Sequence, residues 1–292
     1  MRYTLISENL SLSVDSKGAE LCSIKHQNGY EYLWQGDAGI WPRRAPVLFP
    51  IVGKLRNNAY SLAKQQYTLP QHGFARDLEF VVIKQDAGEI VLELTSNEST
   101  KPLFPFDFEL KLAYSLVNNS LTSSYSVRNT GPQTMYFSIG AHPGFNVSFV
   151  RQNETQFPYI ECEQRALTAK KLSSGLISRE SYTLALPEKR LSLTPELFHN
   201  DALVMEAAQI NSLSLYPEPT GRKITLFCPG WPYFGIWAKP NPKNGSMEFV
   251  CLEPWHGIAD SIDHSGELKN KKGIISLEPD KTFEASFVLG FF

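Results

Sequence analysis

Apolar and polar residues alternate with a period of two along most of this chain. In ELKLAYSLV, apolar side chains recur at every second position, and the alternation resumes after the turn-forming residues Asn118 and Asn119. Such alternation is typical of antiparallel strands that bury one face, so it predicts a β-hairpin here. The segment SLSVDSKGAELCSIKHQNGYEYLW repeats the pattern, and Asn28-Gly29 predicts a tight turn within it.

Strand signals continue to the end of the sequence, whereas helical signals are few. Strands are predicted for EIVLELTS, TMYFSIG, NSLSLYP, RKITLFCP, MEFVCLEP and ASFVLGFF. The best helical candidate is TPELFHNDAL, where Thr194 is the expected N-cap and Pro195 the first residue of one or two turns. Together with 19 glycines and 19 prolines, these patterns predict an all-β antiparallel sandwich or barrel. No repeat or linker divides the sequence, so we expect a single domain over residues 1–292.

Composition excludes several classes of protein. A hydrophobic fraction of 42% supplies a sizeable core, and a charged fraction of 20% argues against disorder. The net charge is −2 and the basic run KNKK is short, so nucleic acid is not an expected partner. The sequence begins with alternating residues instead of a signal peptide, and no apolar run approaches the ~18 residues of a membrane span. The four cysteines are scattered, which fits a reduced, cytoplasmic protein: Cys22, Cys162, Cys228 and Cys251.

Familiar catalytic motifs are missing from the sequence. It contains no phosphate-binding glycine motif, no GxSxG elbow and no HExxH spacing, so neither a cofactor nor a metal site is indicated. Polar residues instead cluster in loops rich in glycine and proline. These clusters are WPRRAPVLFPIVGKL, PQHGFARD, SIGAHPGFN, FHNDALVME and FVCLEPWHGIADS, where Glu253 is expected to end a strand.

His142 is the strongest single candidate among these polar residues. It follows a predicted strand and is bounded by Gly140, Pro143 and Gly144, which would hold its imidazole on a stiff backbone, as a positioned acid or base requires. The other clusters, taken singly, also fit surface pairs, turns or caps. A histidine and a carboxylate without a nucleophile motif fit paired proton transfer. Several aromatic residues could offer apolar faces to a sugar ring: Phe74, Phe145, Trp231, Tyr233, Phe234, Trp237 and Trp255.

The motifs APVLFPIVGKL, QHGFARD, GAHPGFN, NDAL and CLEPWHGIAD resemble, in order and spacing, the aldose 1-epimerase (galactose mutarotase-like) family. The match is best to its bacterial branch of LacX-like proteins, and it runs from about residue 20 to the C-terminus. The resemblance implies a large antiparallel β-supersandwich with few short helices. It also implies interconversion of the α- and β-anomers of a free aldohexose such as galactose or glucose, without a cofactor.

The resemblance also implies roles for particular residues. His142 of GAHP corresponds to the general acid, and Glu253 of CLEP to the general base. Asp201 of NDAL corresponds to an aspartate that binds sugar hydroxyls. The remaining substrate-binding candidates are His72, Arg76, Trp255 and an arginine of the Arg43-Arg44 pair. The expected partner is a small sugar or sugar phosphate, and the expected assembly is a monomer or a homodimer.

Three other functions remain open at this level. HGFAR and an arginine of the RRAP stretch also resemble hexose-6-phosphate 1-epimerases, in which arginines hold the phosphate. A glycosidase could use Glu253 with Asp201 or Asp260. A non-catalytic carbohydrate-binding protein could keep the fold alone, although binding does not require an acid and a base together. His256, at a position where tyrosine is commoner in the branch, is expected to lie near the pocket or to cap a loop.

Overall fold

The structure is a computed structural model that describes residues 1–149, 157–206, 209–218 and 221–292, and strands dominate those residues. The first strands are β1 (Arg2–Ile6), β2 (Leu10–Asp15), β3 (Glu20–His26), β4 (Val47–Leu48), β5 (Ala59–Leu62), β6 (Gln65–Thr68), β7 (Val81–Gln85) and β8 (Glu89–Thr95). The next are β9 (Phe108–Val117), β10 (Ser120–Asn129), β11 (Met135–Phe137), β12 (Ile139–Ala141), β13 (Gly144–Phe149), β14 (Tyr159–Cys162), β15 (Ala166–Ser173) and β16 (Leu176–Ala185). The last are β17 (Arg190–Ser192), β18 (Leu203–Glu206), β19 (Ser212–Tyr216), β20 (Ile224–Phe227), β21 (Tyr233–Trp237), β22 (Met247–His256), β23 (Ile275–Leu277) and β24 (Thr282–Phe291).

Most of these strands belong to two large antiparallel sheets. The nine-stranded sheet has the order β17-β14-β19-β20-β24-β10-β9-β8-β7. The eight-stranded sheet has the order β16-β15-β18-β21-β22-β12-β4, with β13 also paired to β22. Smaller sheets are formed by β1-β2-β3, β5-β6 and β11-β23.

One apolar cluster joins the two large sheets. It includes Leu112 and Leu289 from the nine-stranded sheet and Val250 and Leu252 from the eight-stranded sheet, all of them buried. Burial of one such side chain stabilises the fold by about 1.5–3 kcal/mol. Burial of apolar side chains in this cluster is therefore the main interaction that holds the two sheets face to face. The predicted all-β antiparallel sandwich is thereby confirmed. Because the same cluster also takes in residues of β1, β2 and β3, it supports our proposal of a single domain.

The predicted turns and strands are found with small shifts. The β9–β10 hairpin reverses at Asn118 and Asn119, and the alternate apolar residues of both strands are buried. At the predicted Asn28-Gly29 turn, the Gly29 amide donates a hydrogen bond of 2.9 Å to the His26 carbonyl. The segment TMYFSIG forms two strands instead of one, since the Ser138 amide turns away to donate to the Pro50 carbonyl.

Helical structure in the described residues consists of short 3-10 turns. The predicted helix at Pro195 is a single turn, and Thr194 occupies its N-cap position without donating or accepting a side-chain capping bond. The other turns lie at Arg56–Asn58, Ala75–Asp77, Pro187–Lys189 and Leu268–Asn270. None of the helices in this part of the chain has the length and apolar character needed to cross a membrane.

Strand β22 carries residues of the main core on one face and of the candidate site on the other. Val250 and Leu252 face the main core, whereas Cys251 and Trp255 belong to separate apolar clusters on the opposite face. Glu253 shares that second face because side chains two apart point to the same side of a strand. The prediction that Glu253 ends the strand is wrong, since β22 continues to His256 and keeps Glu253 inside the sheet.

Candidate active site

A cavity of about 360 Å³ is lined by the second face of β22 and by the surrounding loops. It gathers seven of the eight residues predicted from the sequence: Arg43, His72, Arg76, His142, Asp201, Glu253 and Trp255. Arg44 is not among the lining residues, and its guanidinium lies beside Gly36 instead. Of the two adjacent arginines, Arg43 is therefore the one that reaches the cavity.

His142 lies in the short link between β12 and β13, as the sequence predicted. Gly140 is required in β12 because a Cβ atom there would lie 2.6 Å from Cδ1 of Trp255. Gly144 is required in β13 because a Cβ atom would lie 2.9 Å from Cζ3 of Trp41. Neither glycine is in the left-handed region, so their function is to let two tryptophans approach the backbone. Asn146, whose side chain bonds to the carbonyls of Glu31 and Leu33, fixes the next part of β13.

The imidazole of His142 and the carboxylate of Glu253 meet at the cavity. His142 Nε2 lies 3.2 Å from Glu253 Oε2, and the Glu253 side chain is 1% exposed. Within the described residues, neither Glu253 Oε2 nor His142 Nδ1 has a hydrogen-bond partner. The thiol of Cys251 lies next to this pair, so that one donor atom from each of the three residues falls within 4.8 Å of the other two.

Burial shifts the protonation of the pair strongly. Burial, together with the positive charges of Arg76 and Arg43, lowers the pKa of His142 to about 3. Burial also raises the pKa of Glu253 well above its usual range, and the negative charge of Asp201 adds to that effect. Both shifts favour the uncharged forms, a neutral imidazole and a protonated carboxyl group.

Two tryptophans enclose His142. Trp41 stacks on the imidazole with ring centroids 5.0 Å apart and an interplanar angle of 29°, while Trp237 approaches it edge-on at 5.6 Å. Both tryptophans also line the cavity. Trp237 was one of the aromatic residues that the sequence suggested, but Trp41 was missed. The only signal for Trp41 was its position at the start of the WPRR cluster.

His72 approaches His142 from another side, with ring centroids 5.6 Å apart. The Gly53 amide donates a 3.2 Å hydrogen bond to His72 Nδ1, so a neutral His72 carries its proton on Nε2. Nε2 lies 3.3 Å from the side-chain amide of Gln71, a cavity residue that the sequence did not suggest. Burial lowers the pKa of His72 well below its usual value, so this ring is a neutral hydrogen-bonding group at pH 7.

The two cavity arginines are joined through Asp77. Arg43 Nη2 donates a 2.9 Å hydrogen bond to Asp77 Oδ1, and Arg76 Nε lies 3.9 Å from Asp77 Oδ2. Arg76 also donates to the Gln71 carbonyl at 2.6 Å. Burial and the nearby charge of Arg43 lower the pKa of Arg76 to about 10, which still leaves it positively charged at pH 7.

Two other candidates have structural roles outside the cavity. Asp260 accepts a 2.9 Å hydrogen bond from the Arg56 amide and lies 3.3 Å from His264 Nδ1, so it fixes the loop that follows β22. Buried Lys271 lies 3.5 Å from its other oxygen. His256 packs between the rings of Trp231 and Phe283, at centroid distances of 4.6 and 5.0 Å. Neither Asp260 nor His256 is among the residues that line the cavity.

Several polar atoms around this cavity lack partners within the protein. In the described part of the chain, Arg76 Nε and Trp255 Nε1 are buried without a hydrogen-bond partner, as are His142 Nδ1 and Glu253 Oε2. Buried polar groups are almost always paired, and unpaired ones gathered around a single cavity indicate a polar ligand that completes them. Donors and acceptors next to tryptophan faces are the groups that a small polyhydroxylated molecule would use.

Comparisons with known proteins agree with this arrangement. The family model described as aldose 1-epimerase matches residues 1–276. The plasmid-encoded protein LacX of Lactococcus lactis is 29% identical, over 98% of both chains. A galactose mutarotase related enzyme from Lactobacillus acidophilus superimposes with a TM-score of 0.93 at 34% identity, covering 100% of this chain and 97% of that one. A putative glucose-6-phosphate 1-epimerase of Escherichia coli K12 is 27% identical, over 81% of this chain and 76% of its own. By sequence and by fold, the chain belongs to the aldose 1-epimerase family.

Proposed function

We propose that this protein is an aldose 1-epimerase that interconverts the α- and β-anomers of a free aldohexose such as galactose or glucose. The observation that carries the proposal is the 3.2 Å contact between His142 Nε2 and Glu253 Oε2 at the cavity. Anomer exchange needs one proton removed from the O1 hydroxyl and another delivered to the ring oxygen, and both oxygens are bonded to the same carbon. An acid and a base side by side match that requirement.

His142 and Glu253 each transfer a proton twice, once when the sugar ring opens and once when it closes. Glu253, as the carboxylate, takes the proton from the O1 hydroxyl while protonated His142 gives a proton to the ring oxygen. The bond between C1 and the ring oxygen breaks, and C1 becomes an aldehyde. Rotation about C1–C2 presents the other face of the carbonyl. On reclosure, protonated Glu253 gives its proton to O1, and the C5 hydroxyl returns a proton to His142. Atoms and charges balance, and no covalent intermediate with the protein forms.

Burial favours the state that ring opening produces. The reactive pair before opening is imidazolium and carboxylate, whereas the pair afterwards is neutral His142 and protonated Glu253. The neutral pair is the one that the pKa shifts of both residues favour. Burial of the pair therefore stabilises the open-chain intermediate relative to the closed sugar, which lowers the barrier to its formation.

The other cavity residues supply binding groups for hydroxyls. Arg76 Nε and Trp255 Nε1 are unpaired donors within the described chain, and Asp201 offers a carboxylate at the same cavity. His72 lines the same cavity, and the hydrogen bond from the Gly53 amide fixes its ring. These groups support substrate-binding roles for all four residues. Hydrogen bonds of this kind contribute about 0.5–1.5 kcal/mol each, and more when one partner is charged.

The proposal is tested by following the equilibration of freshly dissolved α-glucose and α-galactose by polarimetry or NMR. Wild type should equilibrate at least one sugar faster than buffer. His142→Ala and Glu253→Gln should each lower kcat by about 10²–10⁴, the usual contribution of a positioned acid or base. Circular dichroism and unfolding midpoints of the variants control for misfolding. No acceleration by folded wild type with any free or phosphorylated aldohexose would contradict the proposal.

Hexose-6-phosphate epimerization is the second candidate function. The observation in its favour is the proximity of Arg43 and Arg76, since guanidinium groups are natural phosphate ligands. The relative named putative glucose-6-phosphate 1-epimerase adds support. Against it, both arginines already bind Asp77 or a carbonyl oxygen. A value of kcat/KM that is higher for glucose 6-phosphate than for glucose and galactose would favour the second candidate.

A glycosidase and a non-catalytic sugar-binding protein have less support. Asp260, one of the carboxylates that a glycosidase could pair with Glu253, is occupied by the Arg56 amide and is not a lining residue. A binding protein would gain nothing from burying an ionisable pair whose atoms lack partners, because such burial is costly. Release of the aglycone from aryl glycosides would favour the glycosidase, and binding of sugar without turnover would favour the binding protein.

A further inference from the structure

Cys251 lies beside the His142–Glu253 pair and has a thiol that epimerization does not use. The residue is fully buried in β22, two positions before Glu253 and on the same face of the strand. Its strand partner is Gly144, and the absence of a side chain there leaves Cys251 Sγ beside the link that carries His142. A Cβ atom at Gly144 would lie 3.4 Å from that sulfur, so a larger residue would crowd the thiol.

The three side chains form a compact set of metal-binding atoms. A nitrogen of His142, the sulfur of Cys251 and a carboxylate oxygen of Glu253 lie within 4.8 Å of one another. Zinc binds such atoms at about 2.0–2.3 Å, which requires them to be about 3.3–3.8 Å apart in a tetrahedral site. Zinc binding therefore requires the Glu253 and Cys251 side chains to rotate and close that difference. His142 Nε2 and Glu253 Oε2 already lie 3.2 Å apart, and Glu253 Oε2 has no hydrogen-bond partner within the described chain.

We propose that His142, Cys251 and Glu253 form an inhibitory zinc site. A thiolate, an imidazole and a carboxylate are ligands that Zn²⁺ accepts together, whereas Mg²⁺ and Ca²⁺ prefer oxygen alone. Three protein ligands leave a fourth position for water. Binding displaces the thiol proton to solvent and holds the acid and the base in metal bonds. Zinc and the sugar therefore exclude each other from the cavity.

The sequence positions of the three ligands do not match the usual spacing of zinc motifs. His142 comes from one part of the sequence, while Cys251 and Glu253 come from another and are separated by a single residue. Zinc motifs in sequences usually contain two ligands two to four residues apart in each half of the site. Here the pairing of β13 with β22 brings the third ligand into place.

Cobalt tests the site without relying on turnover. The protein is freed of metal with a chelator and titrated with Co²⁺, which gives a near-ultraviolet charge-transfer band when a thiolate binds it. Wild type should bind one Co²⁺ with such a band, and Zn²⁺ should displace it. Cys251→Ser should lose the band. Cys162→Ser is the matched control, because Cys162 is a buried cysteine outside the His142–Cys251–Glu253 cluster and its removal should leave the band unchanged.

Glu253→Gln and zinc inhibition complete the test. Glu253→Gln keeps the side-chain shape but should weaken Co²⁺ binding at least tenfold. This second variant tests the site even if Cys251→Ser does not fold. In equilibration assays, Cys251→Ser should need at least tenfold more Zn²⁺ than wild type for half inhibition, each relative to its own rate without zinc. A wild-type protein without the band, or a band of equal strength in Cys251→Ser, would overturn the zinc site. Neither result bears on the epimerase proposal, which the anomer assays test separately.

Discussion

The indole of Trp41 lies nearly parallel to the imidazole of His142, with ring centroids 5.0 Å apart and an interplanar angle of 29°. On its other side, Trp41 stacks on Phe249 at 5.2 Å and 15°. His142 Nδ1 has no hydrogen-bond partner in the described residues, so this stack and the 3.2 Å contact of Nε2 with Glu253 Oε2 orient the ring. An indole face also attracts a cation, which favours the imidazolium that donates to the ring oxygen.

Replacement of Trp41 should therefore affect turnover. Trp41→Leu removes the aromatic face and should lower kcat by up to about tenfold, since an aromatic pair contributes about 0.5–1.5 kcal/mol. Trp41→Phe keeps part of the stack and should lose less. Anomer exchange followed by NMR at several sugar concentrations separates kcat from KM. A change in KM alone would mean that Trp41 serves only as a platform for the sugar.

Gly140 provides a test of the close packing below the cavity. In Gly140→Ala the new methyl group would lie 2.6 Å from Trp255 Cδ1, and such overpacking should lower the free energy of unfolding by about 1–3 kcal/mol. Activity should fall as well, because Trp255 lines the cavity. Urea unfolding measures the stability. Gly88→Ala is the control, since a Cβ atom there meets its nearest neighbour at 3.7 Å and should change the unfolding midpoint little.

Arg76 is expected to bind the substrate through a charged hydrogen bond. Arg76→Gln should lower kcat/KM for a free aldohexose about 10- to 100-fold, because hydrogen bonds to charged groups contribute about 1.5–3 kcal/mol. Initial rates with galactose and glucose measure the effect. Arg179→Gln, which removes an exposed arginine paired with Asp263, should leave kcat/KM unchanged. Equal values for Arg76→Gln and wild type would remove Arg76 from the binding site.

His256 should make the fold sensitive to acid. Burial lowers the pKa of His256 to about 4, whereas the unfolded chain binds that proton from about pH 6.5 downwards. Between pH 6.5 and 4 the unfolded state therefore holds more protons, and the free energy of unfolding falls as the pH falls. Urea unfolding at pH 7, 6 and 5 should show a shallower decrease for His256→Phe than for wild type. His199→Gln, a change at an exposed histidine, should keep the wild-type slope.

Strands with one exposed face were predictable from the sequence, and strands with two buried faces were not. In β9 and β10 the alternation of burial follows the alternation of residue types, so the hairpin could be predicted to within two residues. In β22 nearly every residue is buried, and the pattern carries no information about which side faces the cavity. The end of that strand was misjudged for the same reason.

The candidate site was partly predictable, since its polar residues lie in recognisable motifs. Seven of the eight suggested residues line one cavity. Trp41 and Cys251 were missed because their importance comes from contacts with residues distant in the sequence, Trp41 with His142 and Phe249, and Cys251 with His142. Arg44 was suggested beside Arg43, but the chain bends at Arg44 and its guanidinium lies beside Gly36, so only Arg43 reaches the cavity.

The position of the late strands within both sheets has a consequence for synthesis on the ribosome. β24 separates β20 from β10 in one sheet, and β22 separates β21 from β12 in the other. A nascent chain that has reached only β21 holds His142 without Glu253, and both sheets present unpaired edges that invite aggregation. Pairings between distant segments also form slowly, over milliseconds to seconds in proteins of this class. We therefore expect folding, and with it proton transfer, to begin only after most of the chain has been translated.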